Sequence, residues 1–182
     1  KLCDINNVKP FVNSRKPKAG YIGNLFLSSL DRMSFKQIVE NNHQVEFHIW
    51  GPNEITNSNV GGDASQETQD FISFLRFSQN VILQGVKSPR ELAVSIQEID
   101  AFFVCIDIEK DPNLGSNSHK IMEYLSTGKV IISKAISMYE NEDDLIAMAD
   151  QQTNIVELFG EVIKNIEFYN SEELQLRRKE FA

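Results

Sequence analysis

The chain has 182 residues, with 18 basic and 26 acidic side chains and a formal net charge of −8. A length in this range predicts one domain with a core of its own. Hydrophobic residues make up 41% of the chain and charged residues 24%, which excludes disordered, collagen-like and disulfide-stapled chains. The acidic balance argues against a nucleic-acid binder, because such proteins set a basic surface against the phosphates.

The two cysteines, Cys3 and Cys105, lie far apart, and Cys105 stands inside an apolar run. This pattern indicates a small buried side chain rather than a disulfide, and it suits a reducing compartment. No run approaches the roughly 18 apolar residues needed to cross a bilayer, and no signal-peptide pattern is found. We therefore expect a cytoplasmic location, with peripheral attachment to the inner membrane left open. Because the chain starts at Lys1 rather than Met, we expect it to be a piece of a longer protein.

Residues 1–18 form a basic, proline-containing leading segment or linker, after which short β-rich runs alternate with helical patterns. Strands are predicted at 20–22, 45–50, 81–83, 101–106 and 130–132. Helices are predicted at 30–41, 66–77, 91–98, 118–126, 143–148 and 155–166. Ser29 or Asp31 can cap the first helix, and a polar loop covers residues 53–63.

This alternation predicts an α/β fold, with a doubly wound, Rossmann-like parallel sheet and helices on both faces. The run 101–106 is continuously apolar, as expected for a strand that is buried on both faces. In such folds ligands bind beyond the carboxyl ends of the strands. The candidate site therefore lies in the loops that follow the strands, at 23–24, 51–53, 85–88, 107–118 and 133–141.

The stretch 115–132 joins one of these loops to a helix and then to a strand. If Ser118 caps the helix, the free amides of His119 and Lys120 point into the crevice, where a helix start attracts anions. Lys120 adds a full charge, and Glu123 on the same face can accept the hydroxyls of a ribose. The pattern suits a nucleotide sugar. It equally suits an ordinary solvated i,i+3 ion pair, so both interpretations stay open at this point.

Residues 117–131 read NSHKIMEYLSTGKVI, and further characteristic segments lie in order around them at 20–24, 47–52, 80–86 and 99–104. Together these segments, over about residues 19–150, resemble the C-terminal, donor-binding domain of GT-B retaining glycosyltransferases. The likeness is to the bacterial polysaccharide type, glycosyltransferase group 1. It implies that the chain is one half of a GT-B fold.

The resemblance implies a nucleotide-diphospho-sugar donor, such as a UDP- or GDP-sugar, bound without a metal ion or another cofactor. By the same resemblance, Glu123 holds the ribose hydroxyls. The implied contacts to the diphosphate are Gly23, Asn24, Ser118, His119 and Lys120. The implied base-binding loop consists of Val86, Lys87 and Ser88. No catalytic residue is assigned to this half.

The sequence departs from the family pattern at several positions. Many members carry a second glutamate eight positions before the ribose glutamate, and Gly115 stands there in this chain. Val130 replaces the proline that commonly follows Gly-Lys. For the Arg/Lys pair often found after the first strand, the weak candidates are Arg32 and Lys36. These differences predict a divergent subgroup or altered contacts to the donor sugar.

A GT-B enzyme has a second domain of comparable size, which binds the acceptor. We expect residues 19–182 to be the nucleotide-sugar domain alone, inactive when isolated, with a glycan or lipid-linked acceptor bound through the missing N-terminal domain. Two other functions fit the same pattern. One is a sugar-nucleotide epimerase of GT-B type, and the other is a non-catalytic nucleotide-binding or interaction module.

Overall fold

In the part of the chain that the structure describes, six strands form one parallel sheet. The computed structural model describes residue 8 and residues 15–54, 64–107, 110, 118–149 and 154–182. The strands are β1 (Lys18–Ile22), β2 (Glu46–Trp50), β3 (Val81–Gly85), β4 (Ala101–Val104), β5 (Val130–Lys134) and β6 (Ile146–Ala149). Their order is β3-β2-β1-β4-β5-β6, which is the strand order of dinucleotide-binding Rossmann folds.

Helices pack on both faces of this sheet. The described helices are α1 (Arg32–Asn41), α2 (Gln66–Phe77), α3 (Pro89–Ser95), α4 (Ser118–Leu125), α5 (Ile155–Lys164), α6 (Ile166–Tyr169) and α7 (Glu172–Phe181). Apolar side chains of α1, α2 and α5 pack with Phe47 and Phe103 on one face. Those of α3 and α4 pack with Phe102 and Ile131 on the other. The predicted doubly wound α/β fold is therefore confirmed.

Aromatic rings interlock around Phe103 on the first face. Its ring lies edge-on to Phe35 at 4.8 Å, to Phe159 at 5.6 Å and to Phe47 at 5.9 Å between centroids. Such edge-to-face pairs add about 0.5–1.5 kcal/mol each beyond the burial of their area. Phe102, the preceding residue, points to the opposite face, because successive side chains of a strand alternate. One apolar run thus supplies both cores.

The helix starts follow from short polar side chains in the sequence. The Asp31 carboxylate accepts the Ser34 amide at 3.0 Å, so that of the two predicted caps of α1 Asp31 is the one confirmed. Ser65 accepts the Thr68 amide at 3.3 Å and caps α2 in the same way. These bonds satisfy amides that an α-helix leaves without a partner at its first turn.

The helix predicted at 143–148 is wrong. Residues 143–145 form a turn, and Ile146–Ala149 form β6, which pairs in parallel with β5 through Ile131 and Ile146. Alanine and methionine favour a helix, but a run this short cannot offset the cost of starting one. Pairing with β5 supplies backbone hydrogen bonds and buries Ile146, so the strand is the more stable state.

The amphipathic helix predicted at 155–166 is interrupted at Asn165. This residue has φ −110° and ψ 28°, and its amide donates to the carbonyl oxygens of Glu161 and Val162 at 3.1 and 3.2 Å. The chain then resumes as the short helix α6. The apolar stripe is continuous across the interruption, because Ile163 and Ile166 both remain buried against the sheet. Periodicity therefore predicted the buried face correctly and missed the break.

Two other boundaries differ from the sequence expectation. Helix α3 begins at Pro89 rather than at residue 91, a position that suits proline because its missing amide proton is not needed there. It ends at Ser95, and a single 3-10 turn covers Ile96–Glu98. Strand β4 stops at Val104, and Ile106 instead forms an antiparallel bridge with the segment before α1.

A buried polar network ties α6 and α7 to the amino ends of β4 and β5. The side-chain Nδ2 of Asn170 donates to the backbone carbonyl oxygen of Asp100 at 2.8 Å, and the side-chain Oδ1 of Asn170 accepts the Val130 amide at 2.9 Å. The guanidinium group of Arg15 donates to both carboxylate oxygens of Asp100 at 2.7 and 2.8 Å. A bidentate pair of this kind is strong and fixes its geometry.

Arg178 also attaches α7 to the sheet. This residue is 1% exposed. Its guanidinium group donates to the backbone carbonyl oxygens of Leu145 at 3.2 Å, Gly128 at 3.1 Å and Tyr169 at 2.7 Å. Burial lowers the pKa of Arg178 to about 10, so the side chain stays charged at neutral pH. One buried cation thus satisfies carbonyl groups from three segments of the chain.

We predict that Arg178→Met lowers the free energy of unfolding by about 3 kcal/mol or more, because three carbonyl groups lose their donor while the side-chain volume is kept. The matched control is Arg177→Met. Arg177 is the neighbouring, exposed residue, and its ion pair with Glu142 at 3.1 Å should contribute less than about 1 kcal/mol. Urea unfolding followed by circular dichroism measures both. Equal losses in the two variants would contradict the proposed attachment.

Candidate functional site

The sheet opens into a crevice between β1 and β4. These neighbours pair only at Ala19 with Ala101 and at Gly20 with Phe102, and beyond Gly20 no pairing between them is formed. From β1 the chain continues through β2 to β3 at one edge of the sheet. It then returns to place β4 on the other side of β1, so the strand order reverses here. A reversal of this kind is where ligands bind in open α/β sheets, because the two loops diverge to opposite faces.

A cavity of about 60 Å³ occupies this crevice. Its walls come from the end of β1 with Tyr21 and Ile22, from residues 104–106 after β4, and from α4 with Lys120 and Tyr124. Most of the wall is apolar, and Lys120 is the charged side chain among the described residues that line it. The cavity and the Lys120 cation thus both lie at the predicted location of the site.

The start of α4 carries the predicted anion site. Ser118 is the first residue of the helix, but its side chain lies outside the described residues, so its capping role stays a prediction. His119 and Glu123 are exposed, and Lys120 is half-buried. Lys120 lines the cavity, whereas Glu123 does not. The predicted roles of Lys120 and Glu123 towards a ligand remain predictions.

The ammonium group of Lys120 is partly removed from water. Removal from water lowers the pKa of its ammonium group, and the nearby Glu123 carboxylate opposes this effect. Within the described ranges, the ammonium group has neither a hydrogen-bond acceptor nor a close ion-pair partner. A desolvated cation without a partner is costly, and an anionic ligand would relieve that cost.

The loop after β1 is fixed by close backbone packing. The Gly23 amide donates to the Trp50 carbonyl oxygen at 2.9 Å, and the Asn24 side chain accepts the Phe26 amide at 3.0 Å. A methyl group on Gly23 would overlap the Tyr21 hydroxyl. The glycine is therefore required by the packing of the loop itself. The predicted contacts of Gly23 and Asn24 to a diphosphate remain a prediction.

Gly51, which follows β2, packs against this loop. It has φ +140°, and a methyl group there would overlap the Gly23 carbonyl oxygen. Its amide donates to the Gly85 carbonyl oxygen at 2.9 Å, so the three loops at this end of the sheet are joined through glycines. Only a residue without a side chain allows two backbones to approach so closely.

The predicted base-binding loop lies at the far edge of the sheet. It follows β3, two strands away from β1, or about 10 Å at the usual strand spacing. Val86, Lys87 and Ser88 are all exposed. Ser88 forms a capping box with Glu91, in which its amide donates to the Glu91 carboxylate at 3.0 Å. The Ser88 amide is therefore already hydrogen-bonded. For the predicted contact with a base, the backbone groups of Val86 and Lys87 are left.

The two cations considered after the first strand do not line the cavity. Arg32 is buried and donates to the Leu27 carbonyl oxygen at 2.9 Å, and its Nε has no partner among the described residues. Lys36 lies 3.7 Å from Glu40 and above the ring of Phe74.

An ion pair that the sequence did not reveal lies at the same end of the sheet. The ammonium group of Lys134, the last residue of β5, is 2.7 Å from the Asp31 carboxylate that caps α1. Burial alone would raise the pKa of Asp31, but hydrogen bonds from Lys134 and Ser34 outweigh it and lower that pKa. Lys134 therefore serves the helix cap. No local sequence signal links residues so far apart.

Cys105 is a free, buried thiol in the cavity wall, which confirms the expectation of a small buried side chain. Burial raises the pKa of this thiol, so it is unreactive at neutral pH. Several other predicted features lie outside the described residues. These are most of the leading segment 1–18, most of the loop 53–63, and Gly115 with the rest of the loop before α4.

No family model matches the sequence, and no curated protein matches it either. Among solved structures, the catalytic domain of a cholesterol-α-glucosyltransferase from Helicobacter pylori is similar, with a TM-score of 0.58 and 10% identity. The match covers 92% of this chain and 99% of that one. TarM has a TM-score of 0.60 and 13% identity, over 97% of this chain and 33% of TarM. OtsA has a TM-score of 0.52 and 9% identity, over 91% of this chain and 41% of OtsA.

The chain thus has the Rossmann-like fold of one GT-B glycosyltransferase domain, and the resemblance seen in the sequence is confirmed at the level of the fold. It spans less than half the length of TarM and of OtsA. Within the described ranges, no helix is both long and apolar enough to cross a membrane. In those same ranges no cluster of three His, Cys, Asp or Glu side chains could hold a metal ion.

We predict that Lys134→Met lowers stability at neutral pH and weakens its dependence on pH in the acid range. A carboxylate with a lowered pKa stabilises the fold above its unfolded value of about 3.8, and this contribution is lost as pH falls further. In Lys134→Met the Asp31 carboxylate contributes less to stability, so the loss of stability below about pH 4 is smaller. We expect a loss near 1 kcal/mol at pH 7.

The control is Lys36→Met, which breaks an exposed pair with Glu40 on the same helix α1. It should leave the slope of stability against pH below pH 4 as in the wild type. Urea unfolding at pH values between 3 and 7 gives the profiles. A Lys134→Met profile parallel to that of the wild type would contradict the role assigned to this pair.

Proposed function

We propose that this chain is the donor-binding domain of a retaining glycosyltransferase of GT-B type, and that it binds a nucleotide-diphospho-sugar in the crevice between β1 and β4. One observation carries the proposal. Lys120, in the first turn of α4, is a desolvated cation without a close partner in the described ranges, and it lines a cavity at the reversal of strand order. An anionic group is what this position lacks.

The diphosphate would lie at the start of α4, where backbone amides and Lys120 neutralise its charge. In glycosyl transfer the diphosphate is the leaving group, so these groups stabilise the charge that develops as the sugar departs. Ser118 and His119 would contribute amides, and the loop at Gly23 and Asn24 would close the other side. No proton transfer is required from this half of the enzyme.

Glu123 would accept the hydroxyl groups of the ribose. It lies one helical turn beyond Lys120, about 4.5 Å along the helix axis at 1.5 Å per residue. Its side chain is exposed, so its carboxylate oxygens are accessible as hydrogen-bond acceptors. The base would extend from the ribose towards the loop after β3, where backbone groups of Val86 and Lys87 remain available.

The acceptor would be held by a second domain. The match covers 33% of TarM and 41% of OtsA, so each of those chains extends well beyond the part that this chain resembles. A polysaccharide or lipid-linked acceptor, a hexosyl donor and a location in the cytoplasm or at the inner membrane remain parts of this proposal. They rest on the sequence resemblance.

Calorimetric titration with UDP, GDP, ADP and CMP, first without metal and then with magnesium, tests the proposal. We expect selective binding of UDP or GDP without any metal. The absence of binding by all four ligands would overturn the donor site in this chain. Binding of a nucleoside diphosphate without glycosyl transfer by the longer protein would instead favour a nucleotide-binding module.

Two substitutions separate the roles within the site. Lys120→Ala should weaken binding of the selected nucleoside diphosphate by about 10- to 100-fold and leave the nucleoside within about twofold, because a charge-assisted bond contributes about 1.5–3 kcal/mol. Glu123→Ala should weaken the nucleoside and its diphosphate by a similar factor, because both ligands carry the ribose.

The matched control is Lys164→Ala at the end of α5, which removes an exposed lysine from the amino-end side of the sheet. Its affinities should equal those of the wild type. If Lys120→Ala and Lys164→Ala lowered affinity equally, the effect would come from net charge. The assignment of Lys120 to the diphosphate site would then be wrong.

A further inference from the structure

The divergence of β1 and β4 leaves the backbone of Ile22 facing the crevice. The last pairing between the two strands is at Gly20 and Phe102, while Gly23 donates to β2 on the other side. Alternate residues of a strand direct their amide and carbonyl groups to opposite neighbours, so those of Ile22 point towards the absent β4 partner. A buried backbone group in this position needs another partner.

Tyr124 of α4 supplies that partner. Its hydroxyl oxygen accepts the Ile22 amide at 2.8 Å, and the hydroxyl group lies 3.4 Å from the Ile22 carbonyl oxygen, to which it donates. The tyrosine is 1% exposed. A single hydroxyl group therefore replaces the hydrogen bonds that a neighbouring strand would make at this position.

The ring of Tyr124 is held as firmly as its hydroxyl group. It stacks on Phe102 of β4, with 4.3 Å between centroids and 12° between planes. At the backbone, the Tyr124 carbonyl oxygen accepts the Thr127 hydroxyl at 2.6 Å and the Thr127 amide at 3.0 Å. The side chain thus forms a rigid connection between α4 and the ends of β1 and β4.

This connection joins the two parts of the proposed donor site. Lys120 lies four residues before Tyr124, about one turn of α4, and both side chains line the same cavity. Ile22 directly precedes Gly23. We propose that Tyr124 is a positioning residue whose hydroxyl group sets the first turn of α4 against the end of β1, so that Lys120 and the Gly23 loop contact one diphosphate. The inference rests on the proposed function.

Tyr124→Phe is the informative variant, because phenylalanine keeps the stacking on Phe102 and removes only the hydroxyl group. Tyr139→Phe is the control. Tyr139 is buried in the same apolar layer, its ring contacts Phe181 at 6.2 Å between centroids, and it does not line the cavity. Both variants remove one tyrosine hydroxyl and keep the ring in the same layer of the core, so the change in composition is matched while only Tyr124→Phe removes the bonds to Ile22.

Affinity for the nucleoside diphosphate selected by the wild type is measured by calorimetry. We expect Tyr124→Phe to weaken binding about fivefold or more, as for the loss of a hydrogen bond, and Tyr139→Phe to stay within about twofold. The same factor should fall below about twofold in a Lys120→Ala background, because the positioned cation is then gone. Wild-type affinity in Tyr124→Phe, or an undiminished factor in the double variant, would overturn the inference.

Amide hydrogen exchange of the protein without ligand tests the positioning separately. Tyr124→Phe should speed the exchange of the Ile22 amide at least about tenfold and leave the Tyr21 amide, which points to β2, near its wild-type rate. Unchanged exchange at Ile22 would overturn the inference even if nucleotides bind. If the wild type binds no nucleotide, the proposed function fails, and this exchange rate still decides whether Tyr124 holds the loop.

Discussion

The separation of β1 from β4 beyond Gly20 is the constraint on which the functional end of the domain depends. A continuous sheet would pair every backbone group here and leave no room for a ligand. Because the strands part, a cavity forms, the backbone of Ile22 loses its strand partner, and α4 can bring Lys120 and Tyr124 into the gap. The site is thus a consequence of the strand order, and its side chains fill the positions that the order leaves open.

Much of the fold was predictable because its signals are local. Apolar runs bounded by glycine marked the strands, and the spacing of apolar residues marked the buried helix faces. The failure at β6 has a physical cause. The four residues Ile146–Ala149 suit a helix or a strand equally, and only pairing with β5, more than ten residues earlier, decides between them. Similarly, the break at Asn165 leaves the apolar stripe intact, so periodicity alone does not reveal it.

The candidate site also contains some features that local sequence signals predict and others that they do not. The position of Lys120 in the first turn of α4 was predictable from the local sequence, whereas the roles of Lys120 and Glu123 towards a ligand stay predictions. The structure adds a capping box of Ser88 and Glu91, which the sequence analysis did not identify and which binds the Ser88 amide. By contrast, the contact between Ile22 and Tyr124 joins residues 102 positions apart. No pattern in the sequence signals it, since it exists only because two strands diverge.

The polar groups at the two ends of the sheet differ in how far they are paired. At the amino ends, Asn170 and Arg178 satisfy carbonyl and amide groups from several segments. At the carboxyl ends, Lys120 is desolvated without a close partner in the described residues. A half-buried cation without a partner lowers the stability of the fold, whereas the hydrogen bonds at the opposite end add to it. Under the proposed function, a bound anion would supply the partner that Lys120 lacks, so ligand binding would stabilise the folded domain.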